Sequence, residues 1–91
     1  MKRVHVVVTG RVQGVGYRYS LWAVARGAGL AGWVRNRYDG SVEAELEGPE
    51  SAVDEALGWM LDGPAGARVA NRRVTPRTVE GGAGFEIRLD A

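Results

Sequence analysis

Val4 to Thr9 is β-branched at every position except His5, and so continuous an apolar run predicts a strand in the interior of a sheet. At Tyr17 the period changes: Tyr17, Leu21, Val24, Ala25 and Ala28 recur at helical spacing, and Gly27 and Gly29 weaken and then end the helix. An extended pattern resumes over Leu30 to Tyr38, and Tyr38-Asp39-Gly40-Ser41 carries the Asp-Gly signal of a tight hairpin. Beyond it Val42, Ala44 and Leu46 alternate with Glu43, Glu45 and Glu47, which predicts a third strand with an acidic, solvent-facing side. Gly48-Pro49-Glu50 predicts a helix start with proline at the first helical position. Val53, Ala56, Leu57, Met60 and Leu61 mark its apolar stripe, and Gly63-Pro64 ends it. Arg68 to Val74 predicts a polar edge strand whose register the pattern leaves open. Pro76 to Gly84 reads as a loop, and Phe85, Ile87 and Leu89, alternating with Glu86 and Arg88, as a last strand.

The order is βαββαβ with one short additional strand. It predicts a split β-α-β arrangement, two helices on one face of an antiparallel sheet, with residues 1–91 folding as a single domain. The first two strands are joined by a helical crossover, so they run parallel and end at the same rim of the sheet. Arg18 follows the first of those ends and Asn36 closes the second. The two side chains are therefore expected to face one another although eighteen positions separate them.

At that rim the decisive stretch is Gly10-Arg11-Val12-Gln13-Gly14-Val15-Gly16-Tyr17-Arg18-Tyr19, a glycine-spaced loop leading into a helix N-terminus. Backbone N–H groups of such a loop and of the first helical turn converge on one volume. The helix dipole favours negative charge there, and the guanidinium offers a planar fork for phosphate oxygens. Composition confines this site rather than enlarging it. Twelve basic residues, eleven of them arginine, stand against eleven acidic ones, a balance that argues against a dedicated nucleic-acid binder. The absence of cysteine excludes disulfides, a thiolate nucleophile and thiolate metal ligands. Lys2 and Arg3 lead straight into the first strand without a signal-peptide pattern, and no apolar run approaches membrane-spanning length, so a cytoplasmic protein is expected.

With a phosphoryl group held by the loop and Arg18, Asn36 can hold a water, since its carboxamide offers an acceptor for the water proton and donors for the phosphate. His5 lies early in the first strand, far from the loop, and no carboxylate pair stands near, so no general acid is at hand to protonate a poor leaving group. The leaving group must already be good. A carboxylate, whose conjugate acid has a pKa of about 4, leaves unprotonated where an alkoxide does not. Positioning and electrostatic stabilisation of a loose transition state then suffice without a metal, with a phosphate oxygen accepting the proton of water.

The first motif, Gly10 to Arg18, together with Gly32-Trp33-Val34-Arg35-Asn36 and Asp39-Gly40-Ser41-Val42-Glu43, resembles the acylphosphatase family over nearly the whole chain. The resemblance implies the ferredoxin-like α/β sandwich and hydrolysis of acyl phosphates to a carboxylate and inorganic phosphate without a cofactor. It also implies phosphoryl binding by Arg18, water positioning by Asn36, and a phosphate-binding loop of backbone N–H groups from Gln13, Gly14, Val15, Gly16 and Tyr17. Three positions depart from the family's habit. Tyr17 replaces a commoner phenylalanine, with its hydroxyl expected to reach solvent; Arg72 stands where many members are apolar; and Arg37 follows the asparagine where some carry a small hydroxyl residue.

Other residues read more plainly. His5 is a structural strand residue. Trp22, Trp33, Trp59, Tyr19 and Tyr38 are packing and rim residues, and Arg68, Arg72, Arg73 and Arg77 form a solvated edge that discourages sheet-to-sheet association. A stand-alone monomeric enzyme acting on a small acyl phosphate, with neither nucleic acid nor membrane as partner, is the leading expectation. The alternatives are a non-catalytic accessory module that binds phosphate or carbamoyl phosphate, as at the front of larger carbamoyl-transfer proteins, and an RNA-binding domain of the same topology. The stop at Ala91 weighs against the first. The aliphatic, acid-flanked central strands weigh against the second.

Overall fold

A computed structural model describes residues 1–91. The valine run forms β1 (Lys2–Arg11), longer at both ends than its apolar centre predicts. It is followed by α1 (Tyr17–Gly27), β2 (Ala31–Asn36), β3 (Val42–Gly48), α2 (Glu50–Asp62), β4 (Arg68–Arg77) and β5 (Phe85–Ile87). The sheet order is β4-β1-β3-β2-β5, the ferredoxin-like arrangement with one extra edge strand. β3 pairs antiparallel with both β1 and β2, so the two strands flanking it are parallel, as the helical crossover requires.

The sheet is mixed rather than purely antiparallel, because β5 pairs parallel to β2 through Gly32 opposite Phe85 and Val34 opposite Ile87. The cause lies in where β4 ends. Arg77 stands opposite Arg3 at the start of β1, so the chain leaves β4 at the rim where β2 begins and must cross beneath the sheet before rising alongside it. The crossing is tied down by Glu47, whose carboxylate accepts the N–H groups of Glu80 (2.7 Å) and Gly81 (3.0 Å). The last strand stops at Ile87, and Leu89 is exposed rather than the inward residue its alternation predicts.

Val4, Val6 and Val8 of β1, Val34 of β2 and Val42, Ala44 and Leu46 of β3 meet Tyr17, Leu21 and Ala25 of α1 and Val53, Ala56, Leu57 and Met60 of α2 in one buried cluster. Leu61, expected in the apolar stripe of α2, is half exposed, and Pro49 stands before the helix as its N-cap, with Glu50 the first helical residue. β4 lies at the edge as expected, and its register is set by Val6 opposite Val74 and Val8 opposite Arg72, with a bulge at Thr9/Gly10. Arg72 does not belong to a solvated edge. Its Nη1 donates to the Leu57 carbonyl within α2 (2.5 Å), so the strand turns an arginine inward to reach a helix backbone acceptor.

The open face of the sheet corrects a second expectation. Glu43, Glu45 and Glu47 are not a solvated acidic side: Glu47 is 1% exposed, and all three are paired across strands. Arg3 donates to Glu45 (2.7 Å) and Glu47 (3.2 Å), while Glu43 is bonded to His5 (2.6 Å) and Arg35 (2.7 Å). Trp33 is buried beside them because the guanidinium groups of Arg35 and Arg88 cover its ring at 4.9 and 4.8 Å. His5 is thus a structural residue of this face, as its position in the strand suggests.

Candidate active site

Three chain segments meet at the rim where β1 and β2 end. The loop after β1 turns through Gly14 (φ 75°) and Gly16 (φ 79°), left-handed conformations that only glycine adopts without cost, and Gly16 is the N-cap of α1. No side chain caps this helix and its first turn holds no carboxylate, so no residue of the helix itself offsets the positive end of its dipole. The backbone amides of residues 13–18 donate to no protein acceptor. The helical ladder opens with the Ser20 N–H bonded to the Gly16 carbonyl (3.0 Å). The turn therefore presents a run of unpaired donors at a helix N-terminus, the arrangement that receives oxyanions.

Gln13 joins this loop to the end of β2. Its Nε2 donates to the carbonyls of Arg37 (2.7 Å) and Ser41 (2.9 Å), the two residues that close the β2–β3 hairpin through an Arg37 N–H to Ser41 C=O bond (2.9 Å). Asp39 in turn accepts the Ser41 N–H (2.9 Å) and hydroxyl (2.6 Å), which fixes the turn and holds the Asp39 carboxyl below the usual carboxylate range. Loop and hairpin are stapled together, and Asn36 is carried to the loop.

The result is a cleft of about 230 Å³ lined by Val12, Gln13, Gly14, Gly16, Tyr17, Arg18, Tyr19, Asn36 and Ile87. Arg18 and Asn36, distant in sequence, share it. Of the loop residues, Val15 does not line it and instead leans on the core. The Asn36 Oδ1 is buried without a hydrogen-bond partner, a free acceptor on a residue that lines the same cleft as the loop. Arg18 is partly exposed, and its Nη1 donates to Asp90 Oδ1 (3.2 Å). Arg37 stays outside the cleft, 3.7 Å from Asp39. Tyr17 also departs from expectation: its hydroxyl is buried, donates to the Met60 carbonyl (2.7 Å), and has its pKa pushed well up by burial.

The sequence reading missed Ile87 and Asp90. Both reach the site because β5 runs parallel to β2, after which the chain continues along it: Arg88 N–H bonds the Val34 carbonyl (2.9 Å), and Ala91 N–H the Asn36 carbonyl (3.1 Å). A three-residue strand after a glycine-rich loop gives no sign of its direction.

Known proteins resemble this chain in sequence and in fold. The acylphosphatase family model matches residues 4–87. The chain is 54% identical to acylphosphatase 2 of Ralstonia nicotianae, over 94% of this chain and 92% of that protein. It is 47% identical to the acylphosphatase of Thermococcus kodakarensis, over 96% and 98%. Its fold superposes on the crystal structure of acylphosphatase from Bacillus subtilis with a TM-score of 0.93 at 42% identity, covering 97% of this chain and 99% of the other.

Proposed function

Starting from the chain's membership of the acylphosphatase family, an enzyme family of acyl phosphate hydrolysis, we propose that Arg18 and the loop amides of residues 13–17 grip the phosphoryl group while Asn36 orients the attacking water. The observation that carries this reading is the unpartnered Asn36 Oδ1 in one cleft with Arg18 and a turn of free amides. A dianion entering the cleft takes N–H donors that the protein leaves unpaired and a bidentate fork from the guanidinium. Asp90 yields as it enters, since an exposed ion pair is worth about 0–1 kcal/mol.

Asn36 Oδ1 accepts one proton of a water and points its lone pair at phosphorus. As the P–O bond to the acyl group breaks, the carboxylate leaves with the electron pair unprotonated, and the second water proton passes to a phosphate oxygen. No residue is asked to act as general acid, which restricts the substrate to mixed anhydrides of phosphoric and carboxylic acids. The same reading makes the chain a monomeric cytoplasmic enzyme that takes a small acyl phosphate and releases inorganic phosphate, with no nucleic acid or membrane partner. The paired carboxylates and covered Trp33 of the open face favour this over base stacking.

Purified protein given acetyl or benzoyl phosphate is expected to release phosphate without added metal. Arg18→Ala lowers kcat/KM by at least about 10²–10³-fold, the usual loss on removing an oxyanion donor, with an unchanged circular dichroism spectrum and melting curve. Equal activity in that variant refutes the assignment.

A further inference from the structure

Beside the anion cleft lies a second hollow of about 610 Å³, lined by Arg18, Tyr38, Ile87, Arg88, Leu89 and Asp90. Of the hollows in the molecule it alone shares lining residues, Arg18 and Ile87, with the cleft that holds Asn36. We propose that this hollow receives the acyl portion of the substrate and selects apolar acyl groups, with Tyr38, Ile87 and Leu89 as the specificity-determining side chains. The inference rests on the reading of Arg18 as the phosphoryl-binding residue.

Three observations carry it. The first is continuity: the space of about 230 Å³ that takes a phosphoryl group on Arg18 adjoins one that begins at the same guanidinium and at Ile87, so an acyl group attached to that phosphoryl group has an open course into it. The second is the distribution of exposed apolar surface. Tyr38 is 84%, Leu89 90% and Ile87 40% exposed, and all three fall on this one hollow. Large apolar side chains left in water side by side next to a site mark a binding surface more often than chance exposure does.

The third observation is that the hollow offers no free cation. The Arg88 guanidinium bonds Glu86 (2.8 Å) and lies over the Trp33 ring at 4.8 Å, and the Asp90 carboxylate, released from Arg18 by the phosphoryl group, repels an anionic acyl chain. Nothing in the hollow is left to favour an acidic acyl group over an apolar one. An alkyl or aryl acyl chain laid against Tyr38, Ile87 and Leu89 removes apolar surface of both partners from water, and that gain grows with chain length.

The test uses straight-chain acyl phosphates from acetyl to hexanoyl, whose leaving carboxylates are almost equally good, so that reactivity stays level while apolar surface increases. In the unmodified protein kcat/KM is expected to rise about tenfold along the series, at the low end for an added hydrocarbon in an apolar pocket because this hollow is open. In the double variant Tyr38→Ser, Leu89→Ser the rise falls to within about twofold, while the inhibition constant of inorganic phosphate and the melting temperature stay as they were. A flat series in the unmodified protein, or a slope unchanged in the variant, overturns the proposal. So does a preference for succinyl over hexanoyl phosphate, which would mean that Arg88 reads a distal carboxylate. Acetyl phosphate hydrolysis that depends on Arg18 but shows no chain-length slope removes this inference alone. Failure of all acyl phosphates removes the reading beneath it as well.

Discussion

Asn36 keeps a carboxamide oxygen buried and unbonded, a state that costs about 1–3 kcal/mol where no partner arrives. Arg72 Nε is orphaned in the same way outside the cleft, so it is the place of Asn36 in one cleft with Arg18 that gives its free oxygen a role. Asn36→Ala is therefore expected to lower kcat about 100-fold, to leave the phosphate inhibition constant within a few-fold, and to melt no lower than the unmodified protein. If phosphate affinity collapsed together with kcat, Asn36 would be a phosphate ligand and not the holder of water. Asp90 presents the opposite case, a carboxylate standing where an anion must bind, 3.2 Å from Arg18. Asp90→Asn removes that competition, and inorganic phosphate is expected to inhibit up to about fivefold more tightly, the span of an exposed ion pair. Weaker inhibition in this variant would show that the carboxylate orients Arg18 rather than competing with its ligand.

α1 starts badly by the usual rules of helix stability, with no capping side chain and no acidic residue in its first turn. Those omissions leave its dipole and amides to a ligand, so the helix is held by packing, above all through Tyr17. The Tyr17 hydroxyl satisfies the Met60 carbonyl, whose helical partner would be residue 64, a proline with no N–H to give. Tyr17→Phe is expected to cost about 1 kcal/mol, a fall of roughly 4–8 °C in Tm measured by calorimetry, with the fold retained. An unchanged Tm would mean that the carbonyl finds another donor. This contact shows where sequence reading stops. The periodicity of α1 and α2 placed Tyr17 and Met60 inward, and the Asp-Gly turn placed the hairpin, because those are local patterns. The hydroxyl's partner depends on how two helices sit on one another. No pattern of Val4 to Thr9 or Val42 to Leu46 encodes that the glutamates between them meet Arg3, His5 and Arg35 instead of water.

Across the whole molecule, the parallel crossover from β1 to β2 carries Arg18 and Asn36 to one rim, and that much followed from element order alone. The mixed sheet did not. It depends on the loop beneath the sheet, anchored by a glutamate whose alternation in β3 reads as solvent-facing. That anchor has a measurable consequence in acid. The N–H of Glu80 holds the Glu47 carboxyl below the ordinary range; burial works against this, and Arg3 and the N–H of Gly81 reinforce it. Burial raises Glu43, but its bonds to His5 and Arg35 prevail and hold it low as well. A carboxyl with a lower pKa folded than unfolded contributes its full stability above the unfolded value, about 4.3, and loses it as pH falls through the folded one. The melting temperature is thus expected to stay level from neutrality to about pH 5 and to fall steeply below about pH 4. Glu47→Gln should melt lower at pH 7 but decline less in acid, since the substituted group no longer titrates. Parallel acid limbs for the two proteins would show that the loop beneath the sheet is not held by this carboxylate, and that Ile87 and Asp90 reach the site by some other restraint.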